Sequence, residues 1–152
     1  MRRTTTRTLT AAAIVAATVA GCSSADTKND YVDTVNGIQE SALEAFNQAA
    51  NSTPANTRAM VAQLEAGEAA LADAVAELEG VDVPEEVEDG HPERVAGVDD
   101  LRALFAQTAN DIDKADGTEA FSAVTALASE GQVIGTEIDR AIDRINDDLG
   151  AN

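Results

Sequence analysis

Tryptophan is absent from this 152-residue chain, and the other aromatic side chains are few: Tyr31, Phe46, Phe105 and Phe121. Sugar-binding and flat protein-binding surfaces lean on aromatic platforms, so the chain is poorly equipped for those uses. Histidine occurs once, at His91, which rules out a three-histidine zinc site within one chain. A Ser-His-Asp triad would have to use that same residue. The single cysteine, Cys22, has no disulfide partner in the chain, and no Cys-x-x-Cys-His haem-attachment run is present. Lysine is limited to Lys28 and Lys114, so ten basic side chains face 28 acidic ones, a formal net charge of −18. Nucleic-acid binding depends on neutralising phosphates and is argued against by that balance. The acidity, which a saline habitat or codon bias explains as readily as a function, reads as a solvated surface in preference to an acidic docking face.

What is present begins with an address. Arg2, Arg3 and Arg7 stand in the first eight residues with no acid among them, and Leu9 to Ala20 is apolar except for Thr10 and Thr18. A basic start, an apolar run of about a dozen residues and a small-residue exit describe a secretory signal peptide. The run is too short to span a bilayer, which takes roughly 20 apolar residues. Arg2-Arg3 also suggests a twin-arginine leader, but Thr5, Thr6 and Arg7 stand where apolar and basic residues would follow, so ordinary export is expected.

The segment closes on Val19-Ala20-Gly21-Cys22, followed by the polar Ser23-Ser24-Ala25-Asp26. This arrangement resembles the lipobox of bacterial lipoproteins, an aliphatic residue, two small residues and a cysteine. The resemblance implies cleavage between Gly21 and Cys22, a diacylglycerol thioether on Cys22 and acylation, commonly with palmitate, of the new amino terminus. It further implies a protein held on the extracytoplasmic face of the cell membrane. Losing Arg2, Arg3 and Arg7 leaves seven bases against all 28 acids, a charge that an anionic membrane surface repels. The lipid would then supply the anchoring, at about 0.8 kcal/mol per buried methylene, with two chains needed for stable attachment.

Beyond the leader the hydrophobic spacing is helical. Residues 22–29 read as the lipidated cysteine and a flexible polar tether, and residues 30–152 as one domain. Tyr31, Val35, Ile38, Ala42 and Ala49 recur at three-and-four spacing, the pattern of an amphipathic helix. Asn51-Ser52-Thr53-Pro54 stops it, and Thr53 as cap with Pro54 at the first position starts the next. Leu64, Leu71 and Leu78 then stand seven apart with Val61 and Val75 between them, which predicts shallow-angle packing against other helices. Gly80-Val81-Asp82-Val83-Pro84 ends that helix. A third stripe runs through Val87, His91, Val95, Val98, Phe105, Thr108 and Ile112, with a helical turn before Pro92 and a regular helix from there. Asp116-Gly117-Thr118 supplies a stop and a new cap. Val124, Gly131, Ile138 and Ile145, with Leu127, Ile134, Ile142 and Leu149, form the last and clearest stripe. The fold expected is therefore all-α, a four-helix bundle of up-down-up-down topology after a cleaved signal peptide.

Three features invite a chemical reading. Glu88-x-x-His91 has the spacing of a di-iron bundle motif, but that site needs two such motifs and two further glutamates. Around it, Asp82, Glu85, Glu86, Glu88, Asp89 and Glu93 form an acidic stretch. Its alternatives are a divalent-cation site built on Glu88 and His91, a landing place for a basic partner, or a solvated connection. Asp111 to Gly117 superficially resembles a calcium loop, yet its third acid and glycine come one residue late, so it reads as a helix end. Gly67 and Gly131 lie near the apolar stripes, where glycine marks either close helix approach or a small cavity. No cofactor is expected beyond the covalent lipid, and the function expected is a non-catalytic binding or scaffold module with an envelope protein as partner. A cation-binding lipoprotein is the alternative.

Overall fold

The computed structural model describes residues 23–50 and 54–150. The described residues form four α-helices, α1 (Ser23–Ala50), α2 (Thr57–Glu79), α3 (Gly90–Lys114) and α4 (Gly117–Leu149), with a 3₁₀ turn at Glu85–Val87. None of the regular elements among the described residues is a strand. Each helix packs on its neighbour in sequence, α1 on α2, α2 on α3 and α3 on α4, and α4 also touches the 3₁₀ turn.

Local chemistry fixes most of the boundaries. Asn56, extended in backbone, accepts the Ala59 amide on its Oδ1 at 3.0 Å and so caps α2. The cap expected at Thr53 is thus three residues early, and Pro54 precedes the helix instead of opening it. Asp116 accepts from the amides of Thr118 and Glu119 while Glu119 reaches back to the Asp116 amide, a complete capping box. Gly150 ends α4 in the left-handed region at φ 73°, where a side chain would be strained. Pro92 occupies the third position of α3, inside the first turn, where its missing amide interrupts no helical bond. Residues 23–29, expected as a flexible tether, are helical and open α1.

Two apolar clusters lie along the helices. The first joins Tyr31, Val35 and Ile38 of α1 to Ala74 and Leu78 of α2, Val87 of the turn and Ile145 of α4. The second joins Leu64 of α2 to Phe105, Ala109 and Ile112 of α3, with Val124 and Leu127 of α4 packed against it. Val87 and Ile112 are wholly excluded from water, which stabilises the fold by about 1.5–3 kcal/mol for each such side chain. The α4 stripe is fully buried only at Ala141 and Ile145, while Val124, Leu127, Ile134, Ile138 and Ile142 are half-buried.

Two glycines of α3 admit α4 very closely. A β-carbon on Gly97 would stand 2.7 Å from Ile138 Cγ1, and one on Gly90 would stand 2.9 Å from Ile145 Cγ1. Both lie on the α3–α4 seam. At Gly131 the nearest atoms, of Leu101 and Leu104, are 3.9 Å away, an ordinary contact. Gly67 is buried in α2.

Substituting Gly97→Val should destabilise the folded chain by about 1–3 kcal/mol through overpacking against Ile138. Gly135→Ala, whose β-carbon meets nothing within 4 Å, should gain about 1 kcal/mol of helix propensity. Urea denaturation with unchanged m-values measures both, and a Gly97→Val protein as stable as the parent would refute the tight seam.

Candidate functional site

The sole histidine is a structural link. His91 is 5 % exposed, and its two ring nitrogens are both engaged. Nε2 lies 3.0 Å from the Leu78 carbonyl in the last turn of α2, and a carbonyl only accepts, so Nε2 carries the proton. Nδ1 lies 3.0 Å from the Tyr31 hydroxyl, which in the neutral ring donates to it. The two rings also meet edge to face, with centroids 5.6 Å apart. One imidazole thereby ties α1, α2 and α3 together. It also adds a side-chain donor to a carbonyl at the helix end that already accepts from the Val81 amide.

The expected pairing of Glu88 with His91 as cation ligands meets a competing partner in this arrangement. Ligation needs an imidazole lone pair, and Nδ1 faces Tyr31. Glu88 itself is exposed, and no group of three or more His, Cys, Asp or Glu side chains able to hold a metal ion occurs among the described residues. The neighbouring acids go elsewhere: Glu86 pairs with Lys28 of α1 at 2.8 Å, and Glu93 pairs with Arg144 of α4. The Lys28 ammonium holds the Glu86 carboxyl below its usual range. Asp111 and Asp113 lie in the last turns of α3, a helix end as expected. Gly21 and Cys22, the cleavage and lipidation positions, lie outside the described residues.

A residue not singled out by its sequence makes the more unusual feature. Arg94 is only 7 % exposed, and among the described residues it meets no carboxylate. Its Nη2 donates to the Gln39 side-chain carbonyl at 2.9 Å. Burial pulls the guanidinium below its ordinary affinity for protons, while the neighbouring Tyr31 oxygen opposes that effect. No buried side-chain nitrogen or oxygen among the described residues lacks a partner, and the Arg94 side chain borders an open space.

That space is a cleft of about 270 Å³ walled by all four helices. Ile38, Ala42 and Leu43 of α1 form one side, Leu71, Ala74 and Leu78 of α2 its base, and Val98 and Leu101 of α3 with Ile138 and Ile142 of α4 the other side. Gln39, Arg94 and Asp139 are its polar members, and Asp139 forms no ion pair with Arg94. A mostly apolar concavity with a few convergent polar groups is the usual form of a small-molecule site.

A signal for Arg94 does exist in the sequence. Gly90, Arg94, Gly97, Leu101, Leu104 and Thr108 repeat at alternating intervals of four and three, a second row beside the apolar one. Five of the six are buried, but glycine and arginine do not count as apolar. Comparison of the chain with protein-family models, with curated proteins and with solved structures finds no match.

Because Tyr31 is the only tyrosine, its titration can be read directly. Burial raises its hydroxyl above the ordinary value of 10.0, with Arg94 opposing. The folded chain thus favours the neutral phenol. That preference is complete below the unfolded value and is lost as pH rises through the higher folded one. Tyrosinate absorbance should therefore appear later in the native protein than in urea, and Tyr31→Phe should flatten the alkaline loss of stability. The same variant should cost about 1–3 kcal/mol at neutral pH, because Nδ1 of His91 loses its donor. Coincident native and unfolded titrations would contradict this account.

Proposed function

We propose that the chain is a lipid-anchored lipoprotein of the extracytoplasmic membrane face, and that its helices, alternating up-down-up-down, form a non-catalytic binding module of the cell envelope. The observation that carries the anchoring is Val19-Ala20-Gly21-Cys22 directly after an apolar segment with a basic start. No helix among the described residues is long and apolar enough to cross a membrane, which is consistent with attachment through Cys22. The α1 helix opens at Ser23, the residue after the proposed lipid site, so the bundle stands close to the bilayer without a long linker.

Alternation of helix direction is supported by the clusters. The Leu78 end of α2 shares one cluster with Val87 beside the start of α3, and the Leu64 end shares the other with Ile112 near the end of α3. A binding rather than catalytic role is supported by His91, which is committed to two hydrogen bonds in the interior and so is not offered to a substrate as a base. The interhelical cleft supplies the recess such a module would use. Net charge −18 keeps nucleic acid out of consideration as a partner and points to a ligand or an envelope protein instead.

Fractionation of cells expressing the full chain tests the anchor. Wild type should sediment with membranes and incorporate labelled palmitate, whereas Cys22→Ser should lose the label and appear in the soluble fraction. Full membrane retention of Cys22→Ser would sink the proposal.

A further inference from the structure

We propose that the cleft beside Arg94 binds an amphipathic monocarboxylate, a fatty acid of medium chain length, with its carboxylate on the guanidinium and its tail along Leu101, Ile138 and Ile142. The inference rests on the binding role proposed above and names the ligand class of that same cleft.

The head group follows from Arg94. A guanidinium carries five N–H donors and keeps its charge, and it pairs best with a planar carboxylate in two parallel bonds. Here one nitrogen serves a neutral amide oxygen and no acid compensates the charge. A buried cation of this kind is stabilised by a bound anion more than an exposed one, because water screens it less. Gln39 spends its oxygen on Arg94, which leaves its own NH₂ free to donate to the second carboxylate oxygen. One cation only is present, and Asp139 lines the same cleft. A dianion such as a phosphate monoester would be repelled by that carboxylate, so a single negative charge fits best.

The tail follows from the walls. Leu71, Val98, Leu101, Ile138 and Ile142 present an apolar strip beside the guanidinium. Ile138 and Ile142 of α4 are only half-buried in the cleft's wall, so an inserted hydrocarbon chain would complete their burial. The volume of about 270 Å³ lies near the lower end of the roughly 300–1,000 Å³ of small-molecule sites. It suits one chain of medium length and is too small for a two-chain lipid.

Isothermal titration of the full chain carrying Cys22→Ser, purified without detergent, tests the proposal with decanoate, decanol and octanoate. Decanoate should bind with one site per chain and at least tenfold more tightly than decanol. Octanoate should bind more weakly by about fourfold for each methylene removed. Arg94→Met should abolish the preference for decanoate over decanol without weakening decanol, and Arg94→Lys should retain most of it. Val98→Trp, which fills the cleft, should remove binding of both. Circular dichroism checks that each variant is folded, and if Arg94→Met is not, the decanoate-to-decanol ratio on unaltered Arg94 decides alone. Equal binding of the acid and the alcohol would overturn the carboxylate assignment while leaving the cleft as an apolar ligand site. Absence of binding by either would overturn this inference and the cleft's part in the proposed function, but not the membrane anchor, which fractionation reads separately.

Discussion

One imidazole holds three helices in register, and the rest of the structure depends on it. A buried polar ring with an unmatched nitrogen would cost about 1–3 kcal/mol, so His91 is tolerable only where Tyr31 and the Leu78 carbonyl both meet it. Those partners come from α1 and α2, and the angle between them is fixed by the ring. Tyr31, Val35 and Ile38 are all buried within three turns of that hydrogen bond. The acidic connection beside it is then drawn in from both sides, by Lys28 on Glu86 and by Arg144 on Glu93. Those exposed pairs contribute little individually because water screens them, and the imidazole with its apolar surroundings sets the geometry.

The glycines on α3 bring α4 close, since Gly97 and Gly90 admit Ile138 and Ile145 almost to the backbone. That seam is therefore tight. Beside it the half-buried Ile138 and Ile142 line the cleft next to Arg94, together with Ile38, Ala42 and Leu43 of α1. The cleft thus borders a seam that glycine closes on one side, and on the other the helix that Tyr31 ties to His91.

How far this could be read from the sequence varied with the range of the interaction. The α4 stripe, the α2 heptad leucines and the Asp116 boundary were legible because spacing and capping act over a few residues. Leu64 and Leu78 are buried as expected, and Leu71, the middle member, is half-buried because it forms part of the cleft's wall. The start of α2 was misplaced because Thr53 and Asn56 are both good capping residues within four positions, and Pro54 favours the first by local rules alone. His91 was noticed for the wrong reason. Its spacing from Glu88 is local, while its actual partners lie 60 and 13 residues away and are invisible to any short motif. Arg94 escaped because a charged residue on a helix ordinarily faces water, and only the row of glycines on either side of it marks the position as interior.

The overall charge sharpens what a cleft of this kind would be suited to. With 28 acids in the chain, the long-range field disfavours approach of any anion, and electrostatic steering would act against a carboxylate ligand. Such a field is attenuated beyond about 8 Å at physiological ionic strength, whereas a guanidinium held mostly out of water acts at contact. Selectivity would thus be decided inside the cleft and not at the surface. A small, soluble anion without a tail would gain nothing to set against the repulsion, and an uncharged hydrocarbon would leave the buried charge unanswered. Only a molecule that brings both apolar length and a single negative charge satisfies both walls. A bundle whose first helix begins one residue after a proposed lipid anchor would hold this cleft near the bilayer, where molecules of that character are concentrated.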